Sequence, residues 1–130
     1  MDTNGHEGGQ LLHGELVYSI VGSALQVLRE VGHGLHEKPY ENGLVIELGL
    51  RGHATAQQRR YDVVFKGHVL TEFVPDLIVG DAVVVDAKVI DRITDFERGQ
   101  MLNYLRITKL RVGVILNFKR PKLEWERIVL

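Results

Sequence analysis

Cysteine is absent, tryptophan occurs once (Trp125) and proline only at Pro39, Pro75 and Pro121. Without cysteine the chain can form neither disulfides nor thiolate metal sites, which agrees with a reducing compartment. No apolar run nears the ~18 residues that a membrane span needs. The polar, Gly-rich stretch from Met1 to Gly9 also lacks the basic and apolar regions of a signal peptide. The expectation is a cytoplasmic protein with no membrane association. No Gly-x-Ser-x-Gly element is present, and Gly32-x-Gly34 lacks the third glycine and preceding strand of a dinucleotide fingerprint. His33 and His36 have no third or fourth partner at metal-ligand spacing, so they read as structural or solvent-exposed.

Nor is there an excess of charge of one sign, since the formal net charge is −1. Its distribution is uneven. Residues 1–50 carry Asp2, Glu7, Glu15, Glu30, Glu37, Glu41 and Glu47 against Arg29 and Lys38. From Arg98 onward Arg98, Arg106, Lys109, Arg111, Lys119, Arg120, Lys122 and Arg127 face only Glu124 and Glu126. Such asymmetry marks either a polyanion-binding face, for which Arg106, Lys109 and Arg111 are the candidates beside Tyr104, or an ordinary solvated surface.

A chain of 130 residues suits one compact domain that buries about two thirds of its unfolded surface. We expect residues 1–12 to form a flexible N-terminal segment and 13–130 a single domain. Leu16, Val17, Ile20, Val21, Ala24, Leu25, Leu28 and Val31 fall on one helical face, predicting a helix from Leu12 to Val31 ended by Gly32-His33-Gly34. A second helix starts around Glu37 to Tyr40, where Pro39 suits an early position, and stops near Gly52. The period then changes. Tyr61–Phe65 and His68–Phe73 read as strands around Lys66-Gly67, followed by strands at Asp76–Val79 and Ala82–Ile90. Thr94-Asp95-Phe96-Glu97 is a capping box, predicting a third helix that buries Phe96, Met101, Tyr104 and Leu105. Val112–Phe118 and Leu123–Leu130 complete the chain as strands. The order ααββββαββ is that of an α/β (α+β) domain with a mixed sheet flanked by helices.

The strand Ala82–Ile90 carries an acid, Asp86, and a base, Lys88, within an apolar run. Alternation puts both on one face with Val84 and Ile90, roughly 6–7 Å apart along the strand. Charges held against an apolar face are costly unless paired or bound, so they concentrate where chemistry occurs. Pro75-Asp76 opens the preceding strand. Asp76 and Asp86 together would offer two hard oxygen ligands suited to Mg²⁺, with Lys88 placed to help deprotonate or position a water, or to offset charge on a phosphate. Pairing across a two-residue Gly80-Asp81 turn would set Asp76 against Val85, on the wrong face. A shared face therefore predicts a three-residue loop, a bulge or a bend near Pro75.

Pro75-Asp76 followed by Asp86-Ala87-Lys88 resembles the PD-(D/E)XK nuclease superfamily, with its restriction-endonuclease-like core αβββαβ. Gly34-Leu35-His36-Glu37-Lys38-Pro39-Tyr40 matches Gly-x-x-Glu-x-x-Tyr, the signature of the GxxExxY protein family, a branch of that superfamily. The likeness continues through Gln58, Lys66-Gly67, Asp76–Val79, Gln100-x-x-x-Tyr104-Leu105 and Leu116-Asn117-Phe118, covering about residues 14–130. It implies Glu37, Asp76 and Asp86 as acids holding Mg²⁺ or Mn²⁺, Lys88 as the catalytic lysine, and Gln100 with Tyr104 as support for the site or the nucleic acid. One departure is that Asp86 stands where the GxxExxY family usually has glutamate.

The resulting expectation is a metal-dependent nuclease acting on DNA, or secondarily RNA, whose specificity comes from substrate shape, a homodimer or a partner protein. The rivals are a catalytically silent nucleic-acid-binding or assembly module that retains the fold, and a protein whose polar strand face is merely solvated.

Overall fold

The computed structural model describes residues 11–130, so the expected N-terminal segment lies almost wholly outside the described residues. Helix α1 spans Gly14–Val31 and α2 Glu37–Leu50. They are followed by β1 (Thr55–Ala56), β2 (Tyr61–Phe65), β3 (His68–Phe73), β4 (Leu77–Val79) and β5 (Val83–Lys88). Helix α3 (Asp95–Thr108), β6 (Val112–Asn117) and β7 (Glu124–Val129) complete the chain. Helix α1 begins two residues later than its apolar periodicity suggests, because His13 takes a left-handed conformation (φ 53°) that does not continue a helix. The two-residue β1 was not foreseen.

The main sheet has the order β1-β4-β5-β6-β7. Only β5 and β6 run parallel, α3 forming the crossover between them, and every other pair is antiparallel. Strands β2 and β3 form a separate hairpin with a bulge between Val63 and Val64. The alternation of side chains divides the sheet cleanly. Leu77, Val79, Val83, Val85, Ala87, Val114 and Leu116 pack with Ile20, Ala24, Leu28, Tyr40, Leu44 and Leu48 of α1 and α2. Their opposite-facing neighbours Ile78, Val84 and Ile115 pack with Met101 and Leu105 of α3. The sheet is thus a middle layer between two helical layers.

Two glycines make this arrangement possible. A Cβ on Gly113 would lie 2.3 Å from Met101 Sδ, so the bare backbone lets α3 sit close to β6. Gly80, with φ +60°, opens the β4–β5 loop. Phe96 corrects one expectation: it is 71 % exposed rather than buried. It lies about 140° around the helix from Met101, off the stripe that faces the sheet.

Candidate active site

On the α3 side of β5, successive outward residues change from Val84, which is buried, to Asp86 and Lys88, which are half-buried. The observed pairs Leu77↔Val85, Ile78↔Val84 and Val79↔Val83 leave Gly80, Asp81 and Ala82 as a three-residue loop. Continuing that register one step sets Asp76 opposite Asp86, on one face. The mismatch expected from a two-residue turn is removed by the longer loop, which both Gly80 and Asp81 (φ +54°) enter in the left-handed region. Asp76 Oδ2 accepts a hydrogen bond from the Ala87 amide at 3.0 Å, fixing its carboxylate against β5.

Lys88 Nζ lies 3.2 Å from Asp86 Oδ2, the two side chains being only 19 % and 13 % exposed. Burial pushes the Asp86 carboxyl up to about 7; Lys88 opposes this and the neighbouring Asp76 carboxylate reinforces it. Two carboxylates sharing one lysine have an excess of negative charge in a desolvated place. A hard divalent cation would relieve that excess, and two carboxylates with water completing the shell is a usual Mg²⁺ donor set.

Helix α3 holds the other side of the lysine. Lys88 Nζ donates to Gln100 Oε1 at 2.8 Å. The helix is started by its capping box: Thr94 Oγ1 accepts from the Phe96 amide at 3.3 Å, and Glu97 Oε1 accepts from the Thr94 amide at 2.7 Å. These Thr94 donors hold the Glu97 carboxyl below its ordinary range. One turn beyond Gln100, Tyr104 stacks on Phe73 with centroids 4.3 Å apart. Tyr104 and Phe73 wall a cleft of about 60 Å³ whose polar end is Asp76 and Asp86. Burial and then the two carboxylates push the Tyr104 hydroxyl up to about 12, so it stays protonated and able to donate.

Asp76, Asp86, Lys88, Gln100 and Tyr104 thus meet, whereas Glu37 does not join them. It stands exposed in the first turn of α2, a helix of the layer on the opposite face of the sheet. Among the described residues no group of three or more His, Asp or Glu side chains is gathered closely enough to hold a metal. The acid that α2 buries is Glu41, which accepts from Gln57 Nε2 at 3.0 Å and Lys38 Nζ at 3.3 Å. Tyr40 is fully buried: its hydroxyl donates to Gly32 O at 2.6 Å and accepts from the Leu35 amide at 3.0 Å, and its ring stacks on Phe118.

Arg106, Lys109 and Arg111 lie at the far end of α3 and the start of β6, where Arg111 Nε donates to Leu130 O at 2.6 Å. Val112 pairs with Val83, so this end is separated from Lys88 by the length of β5, roughly 17 Å.

Sequence reasoning gave Phe73, Asn117 and Glu124 no role at the site. Asn117 accepts from the Ile90 amide at 3.0 Å and donates to Ile90 O at 2.9 Å, while both Glu124 oxygens accept from the Ile93 amide at 3.1 Å. These residues of β6 and β7 clamp the segment that runs from Lys88 to the capping box of α3. A polar Asn-x-Lys or Glu-x-Glu beside apolar strand positions was the available signal.

No curated protein and no solved structure matches the chain. Among the described residues no helix is long and apolar enough to cross a membrane. The sequence profile of the PD-(D/E)XK nuclease superfamily matches residues 14–128, from the first residue of α1 to the last but one of β7, and the chain belongs to that superfamily.

Proposed function

We propose that the protein is a divalent-metal-dependent nuclease that hydrolyses phosphodiester bonds in DNA. The observation that carries this reading is the Asp86 carboxyl, raised to about 7 beside Asp76 and paired with a lysine that α3 holds in place. Asp76 and Asp86 would hold Mg²⁺ or Mn²⁺, with water and substrate oxygens filling the remaining positions in place of the third acid expected at Glu37. When bound, the cation would supply acidification of water and neutralisation of charge at the phosphate. Lys88 has three donors, of which Asp86 and Gln100 engage two. Its remaining donor serves the attacking water or a phosphate oxygen. Water adds to phosphorus as the ester P–O bond breaks, leaving a phosphomonoester and an alcohol.

Tyr104 borders the cleft and contacts the substrate. Arg106, in the last turn of α3 about 9 Å along the helix from Gln100, and Lys109 and Arg111 just past its end would meet the backbone of a longer nucleic acid. The Gly34-to-Tyr40 motif supports the GxxExxY branch. Supply of specificity by a second copy or a partner protein belongs to the same proposal, as does a cytoplasmic location.

One observation favours the rival of a silent nucleic-acid-binding module: among the described residues only two carboxylates meet at the site. Cleavage of DNA by the wild-type chain, Lys88→Ala and Asp86→Ala with Mg²⁺ or chelator decides between them. The nuclease reading expects Mg²⁺-dependent cleavage that falls about a hundredfold or more in Lys88→Ala, a usual loss for a proton-transferring group. Cleavage equal in all three proteins would contradict it.

A further inference from the structure

A second cleft, of about 510 Å³, opens at the end of the sheet that carries Lys88 and is lined by Arg92, Arg120, Lys122 and Trp125 together with Asp91 and Glu124. Its size falls in the range of ligand sites. Its location follows from the register: Lys88 pairs with Asn117, and Asn117 with Glu124, so the cleft lies at the Lys88 end of the sheet, two strands and roughly 10 Å from Lys88, while Trp125, paired with Leu116, turns to the α1–α2 face.

The charges in this cleft do not cancel. Glu124 accepts from the Ile93 amide with both oxygens and from Asn117 Nδ2 at 2.8 Å, neutral donors that leave its charge in place, so Arg92, Arg120 and Lys122 face two carboxylates and the cleft keeps a net positive charge. Asp91 is shared with Arg120, whose Nη2 stands 3.7 Å from Asp91 Oδ1 and whose Nη1 bonds Asp91 O. Arg92 and Lys122 are exposed and have no acidic partner among the described residues. Beside these cations Trp125 is 43 % exposed on β7, at the edge of the sheet.

An exposed indole flanked by cations without a direct acidic partner is the pairing that holds single-stranded nucleic acid: the ring stacks on a base and the cations take the flanking phosphates. Inside a duplex the base faces are already covered by their neighbours, so an indole at this depth meets a free base face only where pairing is broken. We infer that the cleft around Trp125, Arg92 and Lys122 is a nucleotide subsite for an unpaired stretch of a strand that has its phosphate at Lys88 and passes around this end of the sheet to the indole. This inference rests on the nuclease reading and narrows its substrate to nucleic acid with single-stranded character.

Trp125 is the sole tryptophan, so its emission reports the subsite without labelling. The test is titration of the full chain, in chelator so that no cleavage occurs, with a short oligodeoxythymidylate and with a blunt duplex carrying no free bases. The oligodeoxythymidylate is expected to quench Trp125 emission and the duplex is not. Trp125→Ala should weaken oligodeoxythymidylate binding by about tenfold, with Trp125→Phe recovering part of it. Replacing both Arg92 and Lys122 by alanine should lower the slope of log affinity against log salt by about 1.4. Unchanged emission, or affinity indifferent to all of these variants, would overturn the subsite. Mg²⁺-dependent cleavage by Trp125→Ala that remained at wild-type level on single strands would do so too, while leaving the nuclease reading intact. Quenching with loss of affinity in Trp125→Ala, but without cleavage under any metal, would sustain the subsite and overturn the nuclease reading instead.

Discussion

Lys88 and Gln100 are joined by a 2.8 Å hydrogen bond that ties the end of β5 to the second turn of α3. With Asp86 at 3.2 Å on its other side, the ammonium is fixed between an acid of its own strand and an amide of the crossover helix. The first prediction follows. Gln100→Leu removes an acceptor from a charged donor, worth about 1.5–3 kcal/mol, and frees Lys88 to swing. Single-turnover cleavage should slow by about tenfold or more, while Mn²⁺ affinity measured by calorimetry stays near wild type. A matching fall in metal affinity would show instead that Gln100 shapes the carboxylate pair.

Asp86 sets the pH dependence. Its carboxyl titrates near 7 in the folded chain, against about 3.8 ordinarily. Below about 4 both folded and unfolded states hold the proton; between about 4 and 7 only the folded state does, so metal-free stability falls as pH rises through that window. Above about 7 the full penalty is present, at most about 4 kcal/mol. Asp86→Asn cannot ionise and should escape this fall. Urea denaturation in chelator at pH 5 and pH 8 is expected to show a smaller loss in the variant, and equal or greater stability than wild type at pH 8. If Asp86 served only to hold the fold through Lys88, the variant would be the less stable protein at pH 8.

Metal binding should run the other way with pH. A cation held by Asp76 and Asp86 displaces the Asp86 proton, so Mn²⁺ affinity should rise between pH 6 and pH 8. In Asp86→Asn it should be weak and nearly flat. A wild-type affinity that did not change over this range would separate the metal from Asp86.

Asn117 is 2 % exposed and satisfies both the amide and the carbonyl of Ile90. Asn117→Ala leaves these groups without their partner, at a cost of about 2–3 kcal/mol. The melting temperature should drop, and limited proteolysis should open the segment between Lys88 and α3 first. Resistance there equal to wild type would mean that Glu124 alone holds it.

The legible parts of the sequence were those governed by local rules. Two-residue alternation placed Asp86 and Lys88 together, the register arithmetic called for a longer loop, a bulge or a bend, of which the loop Gly80–Ala82 is the one present, and Thr94 with Glu97 marked the start of α3. What depended on topology was not legible. The two residues of β1 are too few to show any period. Glu37 and Glu41 lie one turn apart on α2 and only packing decides which is buried. The C-terminal bases look like one cluster in the sequence, yet β6 carries the chain roughly 17 Å between Arg111 and Lys119, leaving them at opposite ends of the sheet. Phe96 was counted with the buried stripe, although the helical period turns it outward.

The central claim is that Asp76 and Asp86 hold a divalent cation beside Lys88. A crystal soaked in Mn²⁺ tests it most directly, through anomalous density. The account predicts a peak bridging carboxylate oxygens of Asp76 and Asp86, with Lys88 Nζ still on Gln100. Absence of any peak there at saturating Mn²⁺, with both carboxylates clearly ordered, would contradict it.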